Sequence, residues 1–285
     1  MIPLDEARSY VLERVGPTAA RPARLADAAG LVLAADVTAA ETVPPFDNTA
    51  MDGFAVVASD TDAAPVTLDV IGTVAAGAVA AQRMGPGQAM RIMTGAPMPP
   101  GADAVVMVER TNYDEAGGLV EVEVTVPAGN HVRGAGEDIR PGDLLFAAGT
   151  CLTAGHLGVL ASVGVGEVEV VPRPVVGVLS TGDELVDDGG PLRPGQIRDS
   201  NRRMLLTLLR ESGFEAVDLG LVRDDEAGIE AVFLDGVARC DAVLSSGGVS
   251  MGAFDYVKVV LDRIGDMRWM QIAIKPAKPF AFGLV

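Results

Sequence analysis

The spacing of apolar and polar residues differs between three regions of the chain. Apolar positions recur at helical spacing from Leu4 to Val15 and predict an amphipathic helix that ends at Gly16. From residue 45 to about 138, short alternating runs separated by glycine turns predict a small β-rich domain. Beyond Pro174, strand-like and helix-like runs alternate, which is typical of an open, mostly parallel α/β sheet.

These three hydrophobic patterns predict three domains. Residues 1–44 together with 139–172 form an N-terminal domain, residues 45–138 are inserted into it, and residues 173–285 form the α/β domain. Within the last domain we expect four parallel strands: VVGVLS, AVDLGLV, DAVLS and MQIAI. We also expect a helix over 256–264 with Val259, Val260 and Ile264 on its buried side.

Each of the four predicted strands ends in residues that are able to do chemistry. In chain order these are Asp183 and Glu184, then Asp224, then a serine–glycine loop with Asp255, then Lys275 and Lys278. Open α/β sheets bind ligands outside the carboxyl ends of their strands. The pattern therefore predicts that these residues converge on one crevice.

The third strand runs into the sequence SSGGVSMGAFD, from Ser245 to Asp255. Its backbone N–H groups could surround an anion, and the following helix would point its positive end at the same place. The loop matches neither the P-loop nor the dinucleotide-binding glycine pattern. On local sequence alone, a phosphate cradle and a plain turn that uses glycine for positive φ both remain open.

The carboxylates at the strand ends have two interpretations. Hard oxygen ligands beside a phosphate loop suit Mg²⁺, which takes one or two carboxylates together with phosphate oxygens. Alternatively, acidic residues before helices merely cap them and complement the helix dipole. We favour capping for Asp225. Capping gives no reason for carboxylates to recur at successive strand ends, so we favour metal binding for Glu184 and Asp224.

Composition and charge argue against several classes of function and of structural site. The 285 residues are 49% hydrophobic with a net charge of −17, which disfavours nucleic-acid binding because phosphate backbones need a basic surface. No apolar run reaches membrane-spanning length, and the N-terminus lacks a signal-peptide core, so we expect a cytosolic protein. Cys151 and Cys240 lie far apart without CxxC partners, which indicates neither a disulfide framework nor a zinc site.

Three polar loops interrupt the β-rich region. They are PPFDNTAMDGFAV from Pro44, RIMTGAPMP from Arg91, and NHVRGAGEDI from Asn130. From their sequences alone, the second and third are more simply read as ordinary turns than as functional loops.

Taken together, the ordered motifs resemble those of the molybdopterin molybdenumtransferases, the MoeA family, to which the gephyrin E domain is related. The motifs are PFDNTAMDGFAV, RIMTGAP, RGAGEDI, STGDEL, RDSNR, RDD, SSGGVSMGAFDY and IKPAKP. The resemblance runs from the first helix to residue 285. It implies a MogA-like α/β domain that binds molybdopterin, preceded by a dimerisation region with an inserted β-rich domain. The family's C-terminal β-barrel domain would be absent from this chain.

The resemblance also implies an activity and a set of site residues. The family takes adenylylated molybdopterin and molybdate and, with Mg²⁺ present, releases molybdenum cofactor and AMP. Matching positions predict catalytic roles for Asp52, Asp138, Glu184, Asp224, Asp255 and Lys275, with Mg²⁺ at Glu184, Asp224 and Asp255. The predicted substrate-binding residues are Thr94, Arg133, Asp199, Asn201, Ser246, Gly247, Gly248, Ser250 and Lys278.

In the family, the upstream loops face the α/β crevice of a neighbouring subunit, so the resemblance implies a homodimer with a shared active site and favours functional loops over ordinary turns. Three departures bear on activity: Ala277 replaces a glycine, Gln271 replaces a basic residue of some members, and the chain stops before the family's G-N-P segment. Two alternatives remain: a molybdopterin adenylyltransferase-like enzyme, and a non-catalytic dimeric scaffold of the same fold.

Overall fold

The computed structural model describes residues 1–247, 256–276 and 278–285. In these residues five α-helices occur: α1 (Leu4–Leu12), α2 (Ala154–Ser162), α3 (Asn201–Glu211), α4 (Glu226–Arg239) and α5 (Tyr256–Ile264). The first twelve strands, in chain order, are β1 (Arg21–Arg24), β2 (Val32–Leu33), β3 (Val37–Thr38), β4 (Asn48–Thr49), β5 (Gly53–Val56), β6 (Val66–Val74), β7 (Gln88–Ile92), β8 (Ala104–Met107), β9 (Thr111–Asp114), β10 (Leu119–Val122), β11 (Val132–Arg133) and β12 (Leu144–Phe146). The remaining strands are β13 (Glu167–Val171), β14 (Val175–Thr181), β15 (Leu185–Val186), β16 (Ile197–Arg198), β17 (Glu215–Val222), β18 (Ala242–Ser246), β19 (Asp266–Gln271) and β20 (Pro279–Leu284).

The chain forms two compact units, which we describe separately. Unit 1 contains residues 1–23, 30–34 and 169–285, and unit 2 contains residues 24–29 and 35–168. The domain boundaries predicted from the sequence, with an insertion at 45–138, stay a prediction.

Unit 2 is built on a six-stranded sheet of order β8–β5–β7–β6–β10–β9. Alternate side chains of β5 enter two cores on opposite faces of this sheet, as the two-residue period of a strand requires. Phe54 and Val56 pack in one core, whereas Ala55 packs in the other with Val105 and Met90. The sheet lies inside the region for which the sequence predicts β structure.

Unit 1 is built on a parallel sheet of order β17–β14–β18. β14 pairs with β17 as far as Thr181 and Val222, and with β18 as far as Ser180 and Ser246. α4 and α5 pack over this sheet in a core that includes Leu179. The predicted open, mostly parallel α/β sheet is confirmed, and its three carboxyl ends lie along one edge.

The expected fourth parallel strand is wrong in detail. β19 begins at Asp266, earlier than MQIAI suggested, and pairs antiparallel with β20. Met270 packs with Ala7 of α1, while Met267 and Trp269 pack against the core of α4 and α5. Side chains of β19 therefore pack against two different clusters, and in the described residues β19 does not join the parallel sheet.

Two helical predictions also need correction. α1 ends at Leu12, and within its predicted apolar stripe Ala7 is buried whereas Leu4, Leu12 and Val15 are exposed. α5 has the predicted bounds, but Val259 is 52% exposed. Val260 is buried as predicted, together with Val257 and Leu261, and Ile264 is partly buried.

Candidate functional site

The carboxyl ends of β14, β17 and β18 are joined by close backbone contacts. The N–H of Gly182, directly after β14, donates to the carbonyl oxygen of Val222 at 3.1 Å. Gly247, directly after β18, has a φ of +110°, and a Cβ at this position would lie 2.9 Å from the carbonyl oxygen of Thr181. Only glycine allows both this conformation and this approach.

Two acidic loops meet at this edge. A side-chain oxygen of Asp183 accepts a hydrogen bond of 3.3 Å from the N–H of Asp224. Glu184 folds its carboxylate back over Gly182, where an added Cβ would lie 2.5 Å from Oε2 of Glu184. Glu184 and Asp224 are both exposed. The loop after β14 and the turn after β17 therefore lie against each other at this edge of the sheet. That Glu184 and Asp224 share one site stays a prediction.

Asp225, one residue further, has a different role. It is the N-cap of α4 and accepts a hydrogen bond of 2.7 Å from the N–H of Gly228. This bond satisfies one of the unpaired N–H groups in the first turn of the helix. The capping interpretation of Asp225 is confirmed.

Several predicted site residues lie outside the described part of the chain, namely Gly248, Ser250 and Asp255. In the described ranges no group of three or more His, Cys, Asp or Glu side chains is arranged to hold a metal ion. Ser246 ends β18 and is partly buried. Glu184 and Asp224 are thus the two predicted metal ligands whose surroundings the structure describes.

The two predicted lysines belong to the connection between β19 and β20. Lys275 and Lys278 are both exposed. A backbone hydrogen bond joins the two ends of this connection, because the N–H of Ile272 donates to the carbonyl oxygen of Lys278 at 2.8 Å. Their side chains are available to solvent, and their predicted contact with anionic groups stays a prediction.

Asp199 and Asn201 mark the start of α3 but differ in accessibility. Asn201 is exposed, whereas Asp199 is only 4% exposed. The Asp199 carboxylate accepts hydrogen bonds from the hydroxyl of Ser180 at 3.0 Å and from Nε of Arg202 at 2.8 Å. Its described partners are therefore internal, and its predicted contact with substrate stays a prediction.

Arg202 is a residue that the sequence interpretation missed. Its guanidinium bonds to Asp199, and also to Asp187 and Asp218. Burial by itself would lower the pKa of Arg202, but the hydrogen bonds that Arg202 donates to Asp199 and Asp218 outweigh burial and raise the pKa of Arg202. The available signal was the spacing of Asp199 and Arg202, which puts an acid and a base three residues apart around a helix start.

In unit 2, the three polar loops come together through main-chain pairing. β4, in the first loop, pairs with β11, in the third loop, so that Thr49 lies opposite Val132. The second loop joins them, because the N–H of Thr49 donates to the carbonyl oxygen of Ala96 at 3.1 Å and the N–H of Gly95 donates to that of Thr49 at 2.9 Å. We call these three paired segments the loop cluster.

Asp52 and Thr94 are bonded to each other in the loop cluster. One oxygen of Asp52 accepts from the Thr94 N–H at 2.7 Å and from the Thr94 hydroxyl at 2.6 Å. The hydroxyl bond, followed by the N–H bond, lowers the pKa of Asp52 below its ordinary value, and the nearby positive charge of Arg91 adds to this effect. Asp52 is therefore held as an exposed anion.

Arg133 and Asp138 form the second polar pair of the loop cluster, a direct ion pair. Two acidic side chains fold the same loop by accepting backbone hydrogen bonds, Glu137 from Gly134 at 3.0 Å and Asp47 from Ala135 at 2.8 Å. Asp47 was not among the predicted residues. Its position in PFDN, within an Asx-rich turn, was the sequence signal for such a bond.

In the described ranges, no helix is long and apolar enough to cross a membrane.

Comparisons with known proteins cover nearly the whole chain. Residues 2–164 match the family described as "MoeA N-terminal region (domain I and II)", and residues 177–285 match "Probable molybdopterin binding domain". The chain is 44% identical over 284 residues to the molybdopterin molybdenumtransferase of Haemophilus influenzae, covering 99% of this chain and 70% of that protein. It is 38% identical to that of Bacillus subtilis, covering 96% of this chain and 66% of the relative.

Solved structures give the same result. A molybdopterin biosynthesis MoeA protein from Pyrococcus horikoshii superposes with a TM-score of 0.82 at 35% identity, covering 100% of this chain and 72% of that one. A second solved structure, of a molybdopterin biosynthesis MoeA protein from Pyrococcus horikoshii OT3, has a TM-score of 0.82 at 30% identity and covers 99% of this chain and 72% of that one. The chain therefore spans about two thirds to three quarters of the length of these relatives.

Proposed function

Because the chain belongs to the MoeA family of molybdopterin molybdenumtransferases, we propose that it inserts molybdate into adenylylated molybdopterin in an Mg²⁺-dependent reaction that releases AMP. Molybdenum cofactor biosynthesis by a transferase is the activity for which its relatives are named. The observation that carries the proposal is the contact between the acidic loops after β14 and β17, which brings Glu184 and Asp224 to one edge of the parallel sheet.

The donor set at this edge fits Mg²⁺. Glu184 and Asp224 are exposed carboxylates on adjoining loops. Mg²⁺ prefers oxygen ligands and is usually held by one or two carboxylates together with substrate phosphates and water. These two residues, together with Asp255, would hold the ion. When bound, Mg²⁺ neutralises charge on the phosphate that links AMP to the pterin.

The chain's own residues would bind and orient the phosphate. β18 ends with Ser246, and Gly247 follows it at the same edge, where backbone N–H groups can donate to phosphate oxygens. We assign Gly248 and Ser250, which follow in the sequence, to binding of the same phosphate. Because the chain has a net charge of −17, an anionic substrate also needs local cations, which we assign to Lys275 and Lys278.

We further propose that the loop cluster completes the site of a neighbouring subunit in a homodimer. Asp52, Thr94 and Asp138 are exposed, and the hydrogen bonds of the two polar pairs hold them in place before any ligand arrives. Preformed polar groups bind a ligand with little further loss of conformational entropy. The match of residues 2–164 to the MoeA N-terminal region favours this reading over an adenylyltransferase with a single α/β domain.

The direct experiment mixes the protein with adenylylated molybdopterin, molybdate and Mg²⁺ and follows AMP release. We expect release that needs both molybdate and Mg²⁺, and its loss in Glu184→Gln. Absence of AMP release in the unaltered chain would favour the alternative of a dimeric scaffold without catalysis. We expect the protein to act in the cytosol.

A further inference from the structure

Arg202, on α3, is a buried cation that contacts three separate segments of unit 1. Its Nε donates to Asp199 at 2.8 Å, and its two terminal nitrogens donate to Asp187 and Asp218. The residue is 4% exposed. A buried ion pair that loses one partner leaves an uncompensated charge, so this arrangement is sensitive to any change in its members.

One contact of Arg202 fixes the loop that carries Glu184. Asp187 lies three residues after Glu184, directly beyond β15. β15 pairs in parallel with β16, and the carbonyl oxygen of Glu184 accepts from the N–H of Ile197 at 2.8 Å. This pairing is only two residues long on each strand. The bond from Arg202 to Asp187 therefore ties a short, half-buried strand to the buried side of α3.

Another contact fixes the strand that leads to Asp224. Asp218 lies on β17 at a β-bulge, where Val178 pairs with Asp218 but Leu179 pairs with Gly220. The Asp218 carboxylate also accepts from the N–H of Gly220 at 2.8 Å. A bulge changes the register of every residue that follows it. Arg202 thus bonds to the side chain of Asp218, which itself bonds across the bulge to Gly220. Asp218 lies four residues before the end of β17.

We propose that Arg202 is a positioning residue that sets the distance between Glu184 and Asp224. This inference rests on the proposed function, which assigns the two carboxylates to Mg²⁺. Arginine suits the role because its planar guanidinium presents donors in three directions at once, whereas the lysine ammonium is a compact charge on a flexible stem. Lysine at this position retains the charge but not the three simultaneous contacts.

The test that needs no activity is amide hydrogen exchange on the full chain. In Arg202→Lys we expect exchange to accelerate several-fold in residues 183–199 and in residues 218–224. Arg263→Lys is the matched control, because Arg263 bonds to Glu226 at 2.6 Å and Glu230 at 2.5 Å in the same unit. It should leave both segments unchanged. Unchanged exchange of these segments in Arg202→Lys overturns the proposal.

Two milder variants each change one carboxylate partner of Arg202 and remain informative if Arg202→Lys fails to fold. Asp187→Asn also weakens the bonds that Arg203 donates to Asp187. Asp187→Asn should accelerate exchange in 183–199 and leave 218–224 as it is. Asp218→Asn should do the reverse. If neither segment responds to the loss of its own carboxylate, or if both variants affect both segments equally, Arg202 does not position the two loops separately.

A kinetic measurement connects the contacts to the metal. For Arg202→Lys we expect the Mg²⁺ concentration that gives half-maximal AMP release to rise about 10- to 100-fold, as when outer partners of metal ligands are removed. The rate at saturating Mg²⁺ should fall much less. A role in folding alone would lower the melting temperature without moving the Mg²⁺ dependence. If the unaltered chain releases no AMP, the proposed function fails, while the exchange experiment still decides the role of Arg202.

Discussion

Asp52 and Thr94, which are 42 residues apart in the chain, share two hydrogen bonds to a single carboxylate oxygen, from the Thr94 N–H at 2.7 Å and from its hydroxyl at 2.6 Å. Both bonds favour the ionised form of Asp52 and lower its pKa. The loop cluster therefore presents a fixed negative charge.

Replacing Thr94 by Val removes the hydroxyl bond and keeps the N–H bond, so the pKa of Asp52 should rise towards its ordinary value. Carboxyl carbon chemical shifts followed by NMR during an acid titration measure this pKa directly. Thr94→Ser is the control, because it retains both donors and should leave the titration close to that of the unaltered protein. The same Asp52 pKa in Thr94→Val and in the unaltered protein would show that the hydroxyl does not hold the charge.

The same bond predicts a pH dependence of stability. Because the folded-state pKa of Asp52 is lowered, its stabilising contribution is fully present above the ordinary pKa of about 3.9 and is lost as pH falls through the folded-state pKa. The free energy of unfolding of Thr94→Val should therefore differ most from that of the unaltered protein near neutral pH. Urea titrations across the acid range should show the difference shrinking. A difference that grows towards low pH would contradict the assignment.

Gly53, next to Asp52, is a position where any side chain should disrupt the sheet. A Cβ there would lie 2.0 Å from the carbonyl oxygen of Val106 on the neighbouring strand. We expect Gly53→Ala to lower the free energy of unfolding by about 1–3 kcal/mol or more, since backbone must move. Gly72→Ala on β6 is the control, because no atom lies within 4 Å of a Cβ at this position. Equal urea midpoints for the two variants would contradict this packing.

A shared active site predicts complementation between two inactive variants. Asp52→Ala removes a group of the loop cluster, and Asp224→Ala removes a group of the α/β edge. Mixed after unfolding and refolding together, the two should regain roughly a quarter of full AMP release, because half of the dimers are mixed and each has one intact site. Sedimentation should show a particle of about twice the 29.3 kDa chain mass. A clean monomer, or a mixture without activity, would remove the shared-site proposal.

The hydrophobic pattern of the sequence predicted elements that are defined by residues close together in the chain. α5 has the predicted bounds because its apolar spacing suffices to define it. The contact between the loop after β14 and the turn after β17 could also be predicted, because parallel strands end at one edge of a sheet. No particular long-range contact had to be guessed for either result.

Contacts that depend on tertiary register could not be predicted. The apolar run of β19 indicated a strand but not its partner, and the partner proved to be β20. The partners of Arg202 come from three segments whose register includes a bulge at Asp218, and no short pattern encodes that arrangement. Val259 was misassigned because an apolar residue beside a buried stripe can remain exposed.

The most direct test of the proposed metal site compares two neighbouring carboxylates in the AMP-release assay. Asp225→Asn should retain activity and stability, because Asn is as good an N-cap as Asp and can still accept from Gly228. Asp224→Asn should lower AMP release by at least about 100-fold, which is the upper end of what loss of a metal site's supporting partners costs. Equal AMP release by the two variants would contradict the account, because it would mean that Asp224 does no more than its neighbour at the end of β17.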